Sequence, residues 1–212
     1  MFQTLYDAPL KNGAADSTLL SVAWFILWGA RMEKFDQRVA VLRLGHRPSR
    51  DKRVSTHLLL AARAFGSEKG YYTGTQDNSL EESIRKITSY WGGNFTLDYA
   101  HSWKAVTKNW EGRIVHLTMY GIPFQEIVEE IRLDESPKLV IVGGAKVPGE
   151  VYNTADWNVA VTSQPHSEVS ALAIFLHEFY QGKELGLEFP GARLKVLPQA
   201  KGKKLKTKTR GV

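Results

Sequence analysis

Val161-Thr-Ser-Gln-Pro-His-Ser-Glu-Val-Ser170 follows a short apolar strand and opens an amphipathic helix. A polar turn at that place can hold a small polar ligand, because the first-turn amides of the helix have no partner within the helix. Two comparable turns lie upstream, His116-Leu-Thr-Met-Tyr-Gly121 and Val142-Gly-Gly-Ala-Lys-Val-Pro148. Three such turns after three strands predict one pocket at the carboxyl edge of a parallel sheet. Gly143-Gly144 lets backbone approach a ligand closely, yet it belongs to neither a G-x-G-x-x-G fingerprint nor a P-loop.

The surrounding pattern alternates between strand and helix. Strands are predicted at 38–44, 70–73, 95–99, 113–118, 138–142, 158–161 and 194–197. Helices are predicted at 54–65, 80–91, 103–110, 124–131, 148–154 and 167–181. Repeated βα units imply one α/β domain, a parallel sheet with helices on both faces. Residues 1–31 break this pattern. Leu19–Ala30 is an apolar run shorter than the roughly 20 residues of a membrane-spanning helix, with Lys11 the only cation before it. Residues 1–31 are therefore expected to be an extension outside the fold, with Met32 a plausible alternative start and a membrane or partner anchor the second reading.

Composition narrows the chemistry. The 212 residues include no cysteine, which excludes disulfides, thiolate metal sites and a cysteine nucleophile. The six histidines (46, 57, 101, 116, 166 and 177) never fall at metal-ligand spacing, so no metal is expected. No G-x-S-x-G elbow is present. The net charge of +6 is concentrated in the last 21 residues, where Arg193, Lys195, Lys201, Lys203, Lys204, Lys206, Lys208 and Arg210 stand without an acid. A second cluster, Arg43, Arg47, Arg50, Lys52 and Arg53, has only Asp51 against it. Two basic patches on a near-neutral body suit a phosphate-rich partner, and guanidinium groups beside a helix start suit phosphate clamping.

Four stretches together resemble a known family: Val41-Leu-Arg-Leu-Gly-His-Arg-Pro-x-Arg-Asp-Lys-Arg-Val-x-Thr-His57, Ala62-Arg-Ala-Phe-Gly66, Val115-His-Leu-Thr-Met-Tyr-Gly121 and Gln164-Pro-His-Ser-Glu-Val-x-Ala-Leu172. They are similar to the archaeal tRNA 2'-O-ribose methyltransferases that modify cytidine 56 of the T-loop, members of the SPOUT (trefoil-knot) superfamily. The resemblance spans residues 32–204, which it marks as the methyltransferase domain, with 205–212 a basic tail. It implies a C-terminal trefoil knot, a homodimer, a tRNA substrate, a cytoplasmic location and S-adenosylmethionine as cofactor. The cofactor would be held by Leu117, by Gly143, Gly144, Ala145, Lys146 and Val147, and by Val161, Thr162, Ser163, Gln164, Pro165, His166, Ser167 and Glu168.

Three departures stand out. Relatives carry an acid in the second loop, where this chain reads Gly143-Gly-Ala-Lys-Val147; Thr162-Ser163 replaces a common Gly-Asn; and Leu60 occupies the position of an Arg found in other knotted ribose methyltransferases. Arg47 and Arg53 are the candidate catalytic residues, gripping phosphate and stabilising a developing alkoxide. His46, His57 and His166 are candidate proton acceptors. A ribose methyltransferase of another RNA site and a non-catalytic RNA-binding relative are the alternatives.

Overall fold

The computed structural model describes residues 38–144 and 146–207. The extension at 1–31, Ala145, Lys208 and Arg210 lie outside them. Six parallel strands form the main sheet: β1 (Val39–His46), β2 (Lys69–Gly74), β3 (Thr96–Tyr99), β4 (Arg113–Pro123), β5 (Lys138–Val142) and β6 (Trp157–Ala160), in the order β3-β2-β1-β5-β4-β6. The chain winds outward from β1 to β3, crosses to β4, and then returns to insert β5 between β1 and β4. That reversal places the carboxyl ends of β1, β4, β5 and β6 side by side, where ligands bind in open α/β sheets.

The helices are α1 (Pro48–Ala64), α2 (Asn78–Trp91), α3 (Trp103–Lys108), α4 (Phe124–Leu133), α5 (Gly149–Thr154) and α6 (Glu168–Tyr180). β5, Lys-Leu-Val-Ile-Val, is buried at every position, as a central parallel strand must be. Ala40, Leu42 and Leu44 of β1 join Leu139, Ile141 and Val151 in a core cluster, against which Trp103, Val106 and Trp110 pack. The opposite face receives α1, α2, α4 and α6, with Phe175 of α6 stacked near Phe124 of α4 at 5.0 Å. Helices thus cover both faces, as the alternating pattern requires.

Three elements differ from their sequence outlines for identifiable reasons. Helix α1 begins at Pro48 rather than Val54, because proline at the first helical position is preorganised for the turn. Arg50, Lys52 and Arg53 therefore ride on the first turns of a helix and not on a loop. The turn expected at His116–Gly121 is a wide bulge inside a longer β4: Val159 of β6 pairs with both Leu117 and Ile122, so Thr118–Gly121 loop out toward the sheet edge. Leu194–Val196 (β7) pairs outside the main sheet, with Leu205–Thr207 (β8), as a separate antiparallel ribbon.

The end of β1 is locked by a buried polar network. A bulge between Arg43 and His46, with Gly45 at φ 65°, turns His46 toward α1. His46 Nε2–H donates to Asp77 Oδ2 (3.2 Å), and its Nδ1 is hydrogen-bonded to the Ser55 hydroxyl (2.8 Å). Asp77 also caps α2, accepting from the amides of Ser79 (2.9 Å) and Leu80 (3.2 Å). Burial pushes the Asp77 carboxyl up, but hydrogen bonds from Ser79, His46 and the Leu80 amide outweigh it and hold the group at about 2. A depressed carboxylate stabilises the fold above its ordinary value of 3.8, and the contribution is lost as pH falls from there toward 2. Asp77→Ala removes the cap and strands His46, so a loss of about 2–4 kcal/mol is expected. Thermal melts at neutral pH should show a drop of roughly 5–15 °C, and the variant should lose the wild-type acid sensitivity between pH 4 and 2.

Candidate active site

Two adjoining clefts open at the carboxyl ends of β1, β4, β5 and β6. The first, of about 420 Å³, is lined by Leu117, Gly143, Gly144, Val147, Val161, Thr162, Gln164, Pro165, His166, Ser167 and Glu168 among others. Eleven of the cofactor residues implied by the resemblance, drawn from three separate loops, thus meet around one space. Lys146 lines the neighbouring cleft, and Ser163 lines neither. The volume is within the range of small-molecule sites.

The backbone of this cleft is built for close approach. A Cβ on Gly143 would lie 2.1 Å from Val147 Cγ2, so the loop folds back on itself only because that position has no side chain. Ser167 caps α6 by accepting from the Val169 amide (3.2 Å), and Thr162 braces the preceding turn by accepting from the Gln164 amide (3.3 Å). The acid missing from the second loop has a neighbour in its place: Glu168 Oε1 comes within 3.7 Å of the Cβ position of Gly144.

His116 is a cleft-lining side chain to which the sequence alone assigned no role. It is fully buried yet lines the cleft. Asn158 Nδ2 donates to the Tyr152 carbonyl (2.8 Å), which turns its Oδ1 toward His116 Nδ1 at 2.8 Å. His116 Nδ1–H is then the donor, leaving Nε2 as a buried acceptor with no partner among the described residues. Burial, opposed by the Asn158 bond, lowers its pKa and keeps the ring neutral. A ligand N–H or O–H in the cleft would satisfy it.

The second cleft, about 580 Å³, is basic. Arg43, Arg47, Arg50 and Lys146 line it with His46, Asp51, Gly74, Gly144 and Glu168. Arg47 Nε donates to Asp51 Oδ2 at 2.8 Å, which holds the Asp51 carboxyl below its ordinary range. Arg50, Lys52 and Arg53 crowd the positive end of the α1 dipole, an arrangement unfavourable to the helix alone and favourable to a bound anion. Arg53 is exposed and lines neither cleft, and His57 is likewise exposed and outside both. His46 has both ring nitrogens committed to Ser55 and Asp77. His166 lies in the first cleft, its Nδ1 3.1 Å from the Ser167 carbonyl. Gly144 and Glu168 border both clefts, so the two spaces adjoin there.

Among the described residues no cluster of three His, Cys, Asp or Glu could hold a metal ion, and no helix is long and apolar enough to cross a membrane.

The six-stranded parallel sheet and its helices match the fold of solved SpoU methyltransferases. The chain superposes on the SpoU methyltransferase AviRb from Streptomyces viridochromogenes, solved with AdoMet, at TM-score 0.53 and 16% identity over 72% of this chain, and spans 60% of that protein. It also superposes on a TrmH/SpoU tRNA modifying enzyme from A. aeolicus at TM-score 0.50 and 14% identity, over 79% of this chain and 85% of that one. The family model described as tRNA ribose 2'-O-methyltransferase, aTrm56, matches residues 91–206. The tRNA (cytidine(56)-2'-O)-methyltransferase of Methanothermobacter thermautotrophicus is 49% identical over 171 residues, 79% of this chain and 96% of that protein. The protein of the same description from Methanobrevibacter smithii is 51% identical over 168 residues, 78% of this chain and 93% of its own. The chain belongs to the tRNA (cytidine(56)-2'-O)-methyltransferase family.

Proposed function

We propose that the chain methylates the ribose 2'-oxygen of cytidine 56 in the tRNA T-loop, with S-adenosylmethionine as donor. The observation that carries this reading is the adjacency of two clefts, one of small-molecule size and one basic, at Gly144 and Glu168 in a member of this family. The cofactor supplies an activated methyl group on its sulfonium when bound.

The protein's own residues then have separable tasks. The Gly143–Val147 and Val161–Glu168 loops, with Leu117, hold the donor, and Val142 and Val159 close off water behind it. Arg47 grips phosphate next to the target ribose and stabilises negative charge developing on its oxygen. His166, with Nδ1–H turned to the Ser167 carbonyl, offers Nε2 as the proton acceptor. Lys195, Lys201, Lys203, Lys204 and Lys206, on or beside the exposed β7–β8 ribbon, extend the phosphate-binding surface. Lys195 and Lys206 stand directly opposite across the ribbon, with Lys195 paired to Glu188 at 2.9 Å and Lys206 left to meet an RNA backbone.

A cytoplasmic homodimer with a knotted C-terminal region belongs to the same proposal. Tyr120 and Ile122 on the β4 bulge and Ile174 on α6 are 79%, 50% and 48% exposed, apolar area that a second copy would cover. The chemical test replaces cytidine 56 of the tRNA by 2'-deoxycytidine. Methyl transfer should vanish while competition for the unmodified tRNA persists; undiminished transfer would sink the assignment.

A further inference from the structure

Arg43 has no part in the roles assigned so far, and among the described residues it is a buried charge with little compensation. It stands on β1 between the core strand Val39–Leu42 and the bulge, 2% exposed. Its Nε and Nη1 find no hydrogen-bond partner among the described residues. Its ion pair is loose: Nη2 lies 3.8 Å from Oε1 of Glu168, whose side chain is 31% exposed. Asp51 is the other acid that acts on it, and Arg47 opposes both. A buried guanidinium with open donors costs several kcal/mol unless an anion arrives. A Cβ at Gly144 would sit 3.6–3.7 Å from its terminal nitrogens, so the guanidinium lies beneath the glycine shared by the two clefts.

We propose that Arg43 is the floor of an oxyanion subsite at the junction of the two clefts, with Glu168 its resident and displaceable counter-ion. Displacing Glu168 frees Nη2, which with the open Nε makes the side-on fork that suits two oxygens of one group, a carboxylate or a phosphate. Such a group can come from the amino-acid end of the cofactor in the 420 Å³ cleft or from a tRNA phosphate in the 580 Å³ cleft. A side chain on Gly144 would lie in van der Waals contact with Nη1 and Nη2, so glycine leaves this face of the guanidinium uncovered. The inference rests on the proposed methyltransferase reading and adds to it a specific recognition task.

The experiment uses the full chain and its Arg43→Gln variant. Calorimetry measures S-adenosylmethionine against its decarboxylated analogue, and steady-state assays measure KM for tRNA. If the subsite takes the cofactor carboxylate, the wild type prefers the intact cofactor by about tenfold or more, and Arg43→Gln abolishes the preference. If it takes a phosphate, Arg43→Gln binds both cofactors as the wild type does, raises KM for tRNA about tenfold, and lowers the salt slope by about one. A folded Arg43→Gln within about twofold of the wild type in every readout overturns the proposal, that margin being below one charge-assisted hydrogen bond. Should that variant fail to fold, Arg43→Lys carries the test. It presents one ammonium in place of the fork and must shift one of these readouts by about threefold or more; unchanged readouts again overturn the proposal. Methyl transfer by the wild type is scored in the same assays, so its absence would count against the methyltransferase reading and not against the subsite.

Discussion

Gly143→Val is expected to weaken S-adenosylmethionine binding by about 30–100-fold while leaving a cooperative thermal melt. The Cβ alone would meet Val147 Cγ2 at 2.1 Å, with Leu44 Cδ1 of the core 3.8 Å away. Valine 147 is β-branched, so it has few rotamers with which to yield. The loop must move instead, and it moves at the wall of the cofactor cleft. Overpacking of this kind costs roughly 1–3 kcal/mol, and 2–3 kcal/mol corresponds to the stated loss of affinity. Gly149→Ala is the matched control, because a Cβ there meets nothing within 4 Å. Calorimetry on both variants checks the contrast: wild-type affinity in Gly143→Val would show that this loop does not cradle the cofactor.

Arg47→Ala should lower kcat/KM for tRNA by about 10–100-fold, the loss of a charge-assisted contact made to the reacting region. Arg53→Ala should stay within about threefold, as expected for a screened surface cation. The sequence put both arginines on one basic segment and gave no reason to rank them. The structure separates them by six residues of chain and by the start of a helix: Arg47 stands at the β1–α1 junction in the basic cleft, fixed by Asp51, whereas Arg53 projects from α1 outside both clefts. Equal losses in the two variants would mean that the RNA lies along α1 and not across the cleft mouth. Kinetics at two salt concentrations distinguish this from a general loss of electrostatic attraction, which would flatten the salt dependence in both.

These contrasts also mark what was legible in the sequence. The strand Lys138–Val142 was readable to the residue because a central parallel strand is apolar throughout. The polar breaks at the β4 bulge and after β5 and β6 announced a pocket, although the first of them is not a turn after β4. The start of α1 was hidden by charge: Arg50 to Arg53 masks helical periodicity, and Pro48 was the one signal of the true start. β8 was hidden for the same reason inside Lys204-Leu-Lys-Thr207. Arg43 was legible only as one member of a basic cluster and His116 only as the start of a turn, since their unpaired nitrogens come from burial. Burial depends on how α6 and Asn158 pack against strands far away in sequence. Sequence names the residue type; only the fold shows which donors and acceptors it leaves open.

The departures from the family pattern acquire physical meaning in the same way. The acid absent from the Gly143–Val147 loop has a carboxylate nearby in Glu168, supplied by the first residue of α6. That placement also favours a negative charge at the helix N-terminus. Loss of the loop acid therefore does not leave Gly144 without a neighbouring carboxylate.

The most direct measurement of the central claim is to incubate the full chain with labelled S-adenosylmethionine and an unmodified tRNA transcript, digest the RNA and locate the methyl group by mass spectrometry. The account predicts a single 2'-O-methyl group on cytidine 56. A methyl group on another nucleotide, or no transfer by protein that binds both ligands, would contradict it.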